Sequence, residues 1–151
     1  MLVVAVIDTN VLVSAFINPR GYPAQVVEAA QLGRFNLITS QPLCDELQEV
    51  LARPRVLRAS KSTKNDADQF AQYIIELSES VEVTGNLRLC RDKDDDIVLE
   101  TALVGNATHV VSRDEDIVRS PELTRQLEEH GIRVTTVNRF LREIEFEPPI
   151  S

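Results

Sequence analysis

The run Leu2-Val3-Val4-Ala5-Val6-Ile7 has no polar alternation and stops abruptly at Asp8-Thr9-Asn10. A β-branched stretch of this kind reads as a strand buried on both faces, the state of strands in a parallel sheet covered by helices. The pattern returns late in the chain, where His109-Val110-Val111 runs into Ser112-Arg113-Asp114-Glu115-Asp116. Each run delivers an acid at its carboxyl end. In α/β folds that edge of the sheet is where ligands bind, so the two acids are expected to face one crevice and to hold cations there.

Turn signals cut the remainder into alternating strand and helix lengths, without linker, repeat or low-complexity tract. Helices are expected over Val11–Phe16, Pro23–Gly33 and Gln41–Ala52, the last capped by Ser40. A strand at Phe35–Thr39 separates the second from the third. Arg53 to Ser62 reads as a basic, irregular segment around Pro54, followed by an amphipathic helix from Asn65 through Leu77. A short strand at Val81–Val83, a helix over Asp94–Val104 closed by Gly105, and the strand before Asp114 come next. The chain finishes with a helix over Pro121–Glu129, a strand over Ile132–Thr135 and a helix over Val137–Ile144. This order predicts a three-layer α/β/α sandwich with a mainly parallel sheet of about five strands, residues 1–151 forming a single domain.

A chain of 151 residues buries enough surface to fold without a metal or disulfide. Cys44 and Cys90 fall inside apolar patterns and read as buried free thiols of a reducing cytoplasm. The start of the chain lacks the pattern of a signal peptide, and no apolar run reaches transmembrane length, so a cytoplasmic protein is expected. The net charge of −8 has the wrong sign for holding nucleic acid by phosphate neutralisation alone. Clustered acids around divalent metals would invert that local sign.

Helix geometry sorts the acids. In the Gln41 helix the apolar stripe is Leu43, Leu47, Val50 and Leu51. At about 100° per residue, Glu46 lies roughly 85° from its centre, Glu49 roughly 145° and Asp45 roughly 175°. Only Glu46 borders the buried face. In Asp92-Lys93-Asp94-Asp95-Asp96 the stripe of Val98, Leu99, Ala102 and Leu103 puts Asp95 within about 10° of its centre, Asp92 at about 50° and Asp96 at about 90°. Acids at a helix start also cap it and complement its dipole, which accounts for Asp94 and Asp96. Asp8 and Asp114 fit capping roles equally well when each is taken alone. Four acids from separated segments, Asp8, Glu46, Asp95 and Asp114, would repel one another unless hard cations such as Mg2+ or Mn2+ sat between them.

These residues resemble the PIN-domain family, and within it the toxin ribonucleases of prokaryotic toxin–antitoxin operons. The resemblance runs from Val3 to about Phe140 and rests on Val6-Ile7-Asp8-Thr9-Asn10-Val11-Leu12, on Leu43 to Leu51 followed by Arg53-Pro54, on Asp92-Lys93-Asp94-Asp95 before Leu99 and Ala102, and on Val110-Val111-Ser112-Arg113-Asp114. It implies an acidic quartet at Asp8, Glu46, Asp95 and Asp114 serving as catalytic and metal-binding residues. Asn10 and Ser112 match small polar positions near the metal, and Asp92, Asp96 and Asp116 match secondary ones. Ser112 stands where threonine is commoner, and the run of aspartates leaves the third acid between Asp95 and Asp96.

The implied reaction is hydrolysis of single-stranded RNA with Mg2+ or Mn2+, without a nucleophilic side chain. His109, at the start of a buried strand, and His130, at a helix end, read as structural. Arg53, Arg55, Arg58, Lys61 and Lys64 are the expected source of positive charge for the RNA. The resemblance also implies a homodimer and an antitoxin partner, both seated on apolar faces of the helices at Pro23–Gly33, Gln41–Ala52 and Asn65–Leu77. Two rivals remain. A phosphatase of the haloacid dehalogenase type would need an aspartate where Asn10 stands, and a catalytically inactive PIN-like module would bind RNA or protein without cutting.

Overall fold

The computed structural model describes residues 2–113 and 121–147. Strands β1 (Val4–Ile7), β2 (Asn36–Ser40), β3 (Glu79–Val81), β4 (His109–Ser112) and β5 (Arg133–Thr136) form one sheet in the order β3-β2-β1-β4-β5. Every pairing in it is parallel. The helices among the described residues are α1 (Thr9–Ile17), α2 (Tyr22–Gln31), α3 (Gln41–Leu51), α4 (Pro54–Ser60), α5 (Lys64–Leu77), α6 (Lys93–Val104), α7 (Pro121–Glu129) and α8 (Val137–Glu143).

Alternate residues of the strands serve two cores, as a sheet covered on both faces requires. Ala5, Ile7, Leu37 and Val111 pack with α1, α2, α5 and α8, whereas Val6, Ile38 and Val110 pack with α6 and α7. The expected α/β/α layering is therefore present, with β1 at the centre of the sheet. No described helix is long and apolar enough to cross a membrane.

Three local expectations fail, each for a physical reason. Arg53 to Ser62 is not irregular: Pro54 takes the first helical turn of α4, where its missing N–H costs nothing, and Val56 anchors the helix in the core. Lys61, at φ 53°, ends it. The third strand lies two residues earlier than Val81–Val83, because pairing with β2 sets Ile38 opposite Glu79 and Ser40 opposite Val81. Ser40 precedes α3 but makes no capping bond with its side chain; its hydroxyl instead meets that of Thr101 at 2.8 Å, joining β2 to α6. Gly105 does follow α6, but for space: the left-handed turn belongs to Asn106, and a Cβ on Gly105 would run into Ile38 Cδ1.

Helices α2, α3 and α5 each send apolar side chains into the core. Val26, Val27, Leu47, Leu51, Ala71 and Ile74 are all buried in the chain's own core.

Candidate active site

Asp8 follows the central strand. Its N–H bonds to Val111 O at 2.9 Å and its carbonyl accepts the Val11 N–H at 2.9 Å, which locks the turn from β1 into α1. Although Asp8 occupies the cap position, its side chain makes no capping hydrogen bond, and the residue is 7% exposed. The carboxylate is thus buried at the sheet's carboxyl edge for a purpose other than capping. Ser112, at the end of β4 beside it, is buried too.

The helical arithmetic for α3 holds. Glu46 is half-buried, while Asp45 and Glu49 are exposed and tied locally, Asp45 to Gln41 at 2.8 Å and Glu49 to Arg53 at 3.2 Å.

On α6 the four aspartates take four different positions. Asp92 is exposed and caps the helix, accepting the Asp94 N–H at 2.9 Å. Asp94 is exposed and lines a cleft. Asp95 is 3% exposed, as expected of the inward acid. Asp96, expected on the rim, is as deeply buried, because the segment 82–91 folds over it: its Oδ1 accepts the N–H groups of Leu89 at 2.9 Å and Cys90 at 2.7 Å. Its Oδ2 is buried without a hydrogen-bond partner among the described residues. The two neighbours therefore diverge, with Asp96 fastening a loop to its helix. Asp114 and Asp116 lie outside the described residues.

Helix α3 packs against α1 and α6, and α6 packs against β1, so Asp8, Glu46 and Asp95 belong to mutually contacting elements. A cleft of about 910 Å3 opens along these elements, and neither Asp8 nor Asp95 is among its lining residues. Glu46, Asp94 and Asn10 line it, as do Arg53, Arg55 and Arg113; Arg58, Lys61 and Lys64 do not. Three of the five basic residues expected to face the groove thus lie outside its lining. Arg113 went unassigned in the sequence, although its place directly after β4 was the signal that could have found it.

Sequence reasoning also missed Glu100, one turn after Asp96 on α6. Burial raises its carboxyl, but hydrogen bonds from the N–H and hydroxyl of Thr84 and from Gly85 N–H, with Arg88 nearby, outweigh that and hold its pKa low. Cys90 is half-buried rather than buried, and burial together with Asp96, Glu122 and Asp95 pushes its thiol up to about 11, so it stays protonated and inert.

His109 and His130 do sit away from the cleft, His109 Nε2 lying 2.8 Å from Glu143 and His130 Nδ1 2.7 Å from Gln126 O.

Among the described residues no three acid, histidine or cysteine side chains are grouped closely enough to cage a metal. What Asp8, Glu46 and Asp95 supply is hard carboxylate oxygen. Such oxygen donors suit a hard divalent cation, the class of metal that PIN domains typically use.

A family model described as a PIN domain matches residues 4–116, and the chain belongs to that family. PIN domains are in general nucleases and typically use divalent metal ions. The chain is also similar to an uncharacterized protein of Methanocaldococcus jannaschii, 27% identical over 142 residues that span 93% of this chain and 90% of the relative.

Proposed function

We propose that this protein is a Mg2+- or Mn2+-dependent ribonuclease, a single domain over residues 1–151, that hydrolyses phosphodiester bonds of single-stranded RNA. The observation that supports the proposal is that Asp8, Glu46 and Asp95 stand on mutually contacting elements next to a cleft that Glu46, Asp94, Arg53, Arg55 and Arg113 line.

In this reading Asp8, Glu46, Asp95 and Asp114 hold the metal, which, when bound, lowers the pKa of the attacking water and neutralises charge on the transferred phosphate. The carboxylates fix position and charge, and the buried frame around Asp8 and Asp95 keeps them from swinging. Asn10 and Ser112 orient water or carboxylate at the cleft, with Asp116 assisting from beyond Asp114. Asp92 and Asp96 act through α6, one by starting it and the other by fixing the loop against it. No side-chain nucleophile takes part.

The resemblance of the whole motif set supports the more specific role: the toxin of a toxin–antitoxin pair, a cytoplasmic homodimer neutralised by its antitoxin.

The test is cleavage of labelled single-stranded RNA by metal-stripped protein, with and without Mg2+ or Mn2+, beside Asp95→Asn. Metal-dependent cutting that disappears in the variant is expected. Equal cutting by both would remove Asp95 from the site, and binding without cutting under any metal would turn the protein into a PIN-like binding module.

A further inference from the structure

The cleft holds more carboxylates than guanidiniums, Asp45, Glu46, Glu49 and Asp94 against Arg53, Arg55 and Arg113. A polyanion entering it needs cations that are not already neutralised. Arg53 is engaged by Glu49 at 3.2 Å, and Lys64, off the cleft, by Asp68 at 3.1 Å. Arg55 and Arg113 are different: both are exposed in the cleft, and neither has an ion pair or a side-chain hydrogen bond among the described residues. They also stand on different parts of the fold. Arg113 directly follows β4, whose Val111 carbonyl bonds to the Asp8 N–H, so it belongs beside the acids. Arg55 lies on α4, which packs against α1 and α3.

Among the described residues lining the cleft none is aromatic, so they offer no ring on which bases could stack. Its apolar positions, Val13, Ile17, Val50, Val56 and Ile97, are aliphatic.

We infer that Arg55 and Arg113 are the two positioning residues that hold the phosphates of a single-stranded substrate across the cleft, and that the site grips the sugar–phosphate backbone with little regard to base identity. The inference rests on the ribonuclease reading, and it names which cations serve it. Arginine suits the task because its planar fork meets phosphate oxygens in pairs.

The experiment measures binding of a short single-stranded phosphorothioate RNA in Mg2+ by fluorescence anisotropy across a salt series. The proteins compared are wild type, Arg55→Gln, Arg113→Gln, the corresponding lysine variants, and Arg58→Gln as a control away from the cleft. Each phosphate contact contributes about 0.7 to the slope of log affinity against log salt for a single strand. Each glutamine variant is expected to lose that amount and to bind about eight-fold more weakly at about 50 mM salt, taking about 1 M as the point where the effect vanishes. The lysine variants should keep the slope, which a purely structural role would not produce, and Arg58→Gln should match wild type. Affinities for U-rich and A-rich strands should agree within a few-fold.

If wild type binds RNA and the glutamine variants keep its slope, the phosphate contacts lie elsewhere and the inference fails. A strong preference for one base overturns the backbone-only grip. Failure of wild type to bind RNA at all would remove the ribonuclease reading beneath it.

Discussion

At the amino edge of the sheet, Thr108 Oγ1 accepts the Val4 N–H and meets Val4 O, both at 3.0 Å, and lies 2.7 Å from His109 Nδ1. His109 continues to Glu143, and Glu143 accepts from Arg133 at 2.9 Å. Polar groups there, His109 buried among them, answer one another in a chain that ties β1, β4, β5 and α8. At the carboxyl edge, two deeply buried carboxylates, Asp8 and Asp95, stand with half-buried Glu46 beside an open, arginine-bearing cleft. One edge uses polarity to hold strands in register, whereas the other sets carboxylates on mutually contacting elements next to a cleft.

The comparison is broken most directly by neutralising the acids. Asp8→Asn and Asp95→Asn should each lower metal-dependent RNA cleavage by on the order of a hundred-fold or more. Thermal denaturation should show the melting temperature unchanged or raised in both. A fall in melting temperature with cleavage intact would make these acids structural, like those of the opposite edge.

Asp96 sharpens the contrast, since it lies one residue from Asp95 and yet behaves as a fastener. Asp96→Ala takes the acceptor from two backbone N–H groups and is expected to lower unfolding free energy by about 2–3 kcal/mol in urea titrations. Asp96→Asn, which keeps one acceptor oxygen, should lose less.

The amino edge has its own signature in pH. Burial raises the Glu143 carboxyl, but Arg133 and His109 outweigh that and hold its pKa below the ordinary glutamate value. A group depressed in this way adds stability that is present above the unfolded pKa, roughly 4.3, and is lost as pH falls through the lower folded value. Denaturant titrations between about pH 5 and pH 2 should therefore show a shallower acid loss in Glu143→Gln than in wild type. Glu100→Gln should do the same, for Glu100 is depressed by its bonds to Thr84 and Gly85.

The smallest effect tests a place remote from both edges. Thr63 and Asp66 form a reciprocal capping box at the start of α5, with bonds of 3.2 and 2.9 Å. Thr63→Ala should cost about 1 kcal/mol of stability and leave cleavage untouched.

How far the sequence carried depends on how local each cause is. The strand-to-acid junction at Asp8 and the placement of Glu46, Asp45, Glu49 and Asp95 were legible, because a strand's apolar run and a helix's 3.6-residue period act within a few residues. Asp96 was misjudged because its burial comes from the segment 82–91 crossing α6, an event its own helix does not encode. The register of β3 was set by β2 across the sheet, and α4 was hidden by a proline that breaks helices everywhere except at their first turn. The basic stretch announced the right kind of charge, but only its Arg53 and Arg55 face the cleft, and Arg113 comes from far along the chain.

The central position of β1 has a consequence for how the chain is born. Its first residues leave the ribosome with one side of the strand answered only by β2, and the other side waits for β4, made of residues 109–112. Asp8, Glu46 and Asp95 come from stretches far apart in the chain, at the ends or on the faces of β1, α3 and α6. A nascent fragment ending before β4 would therefore leave one edge of β1 open and the Asp8 N–H without its Val111 carbonyl.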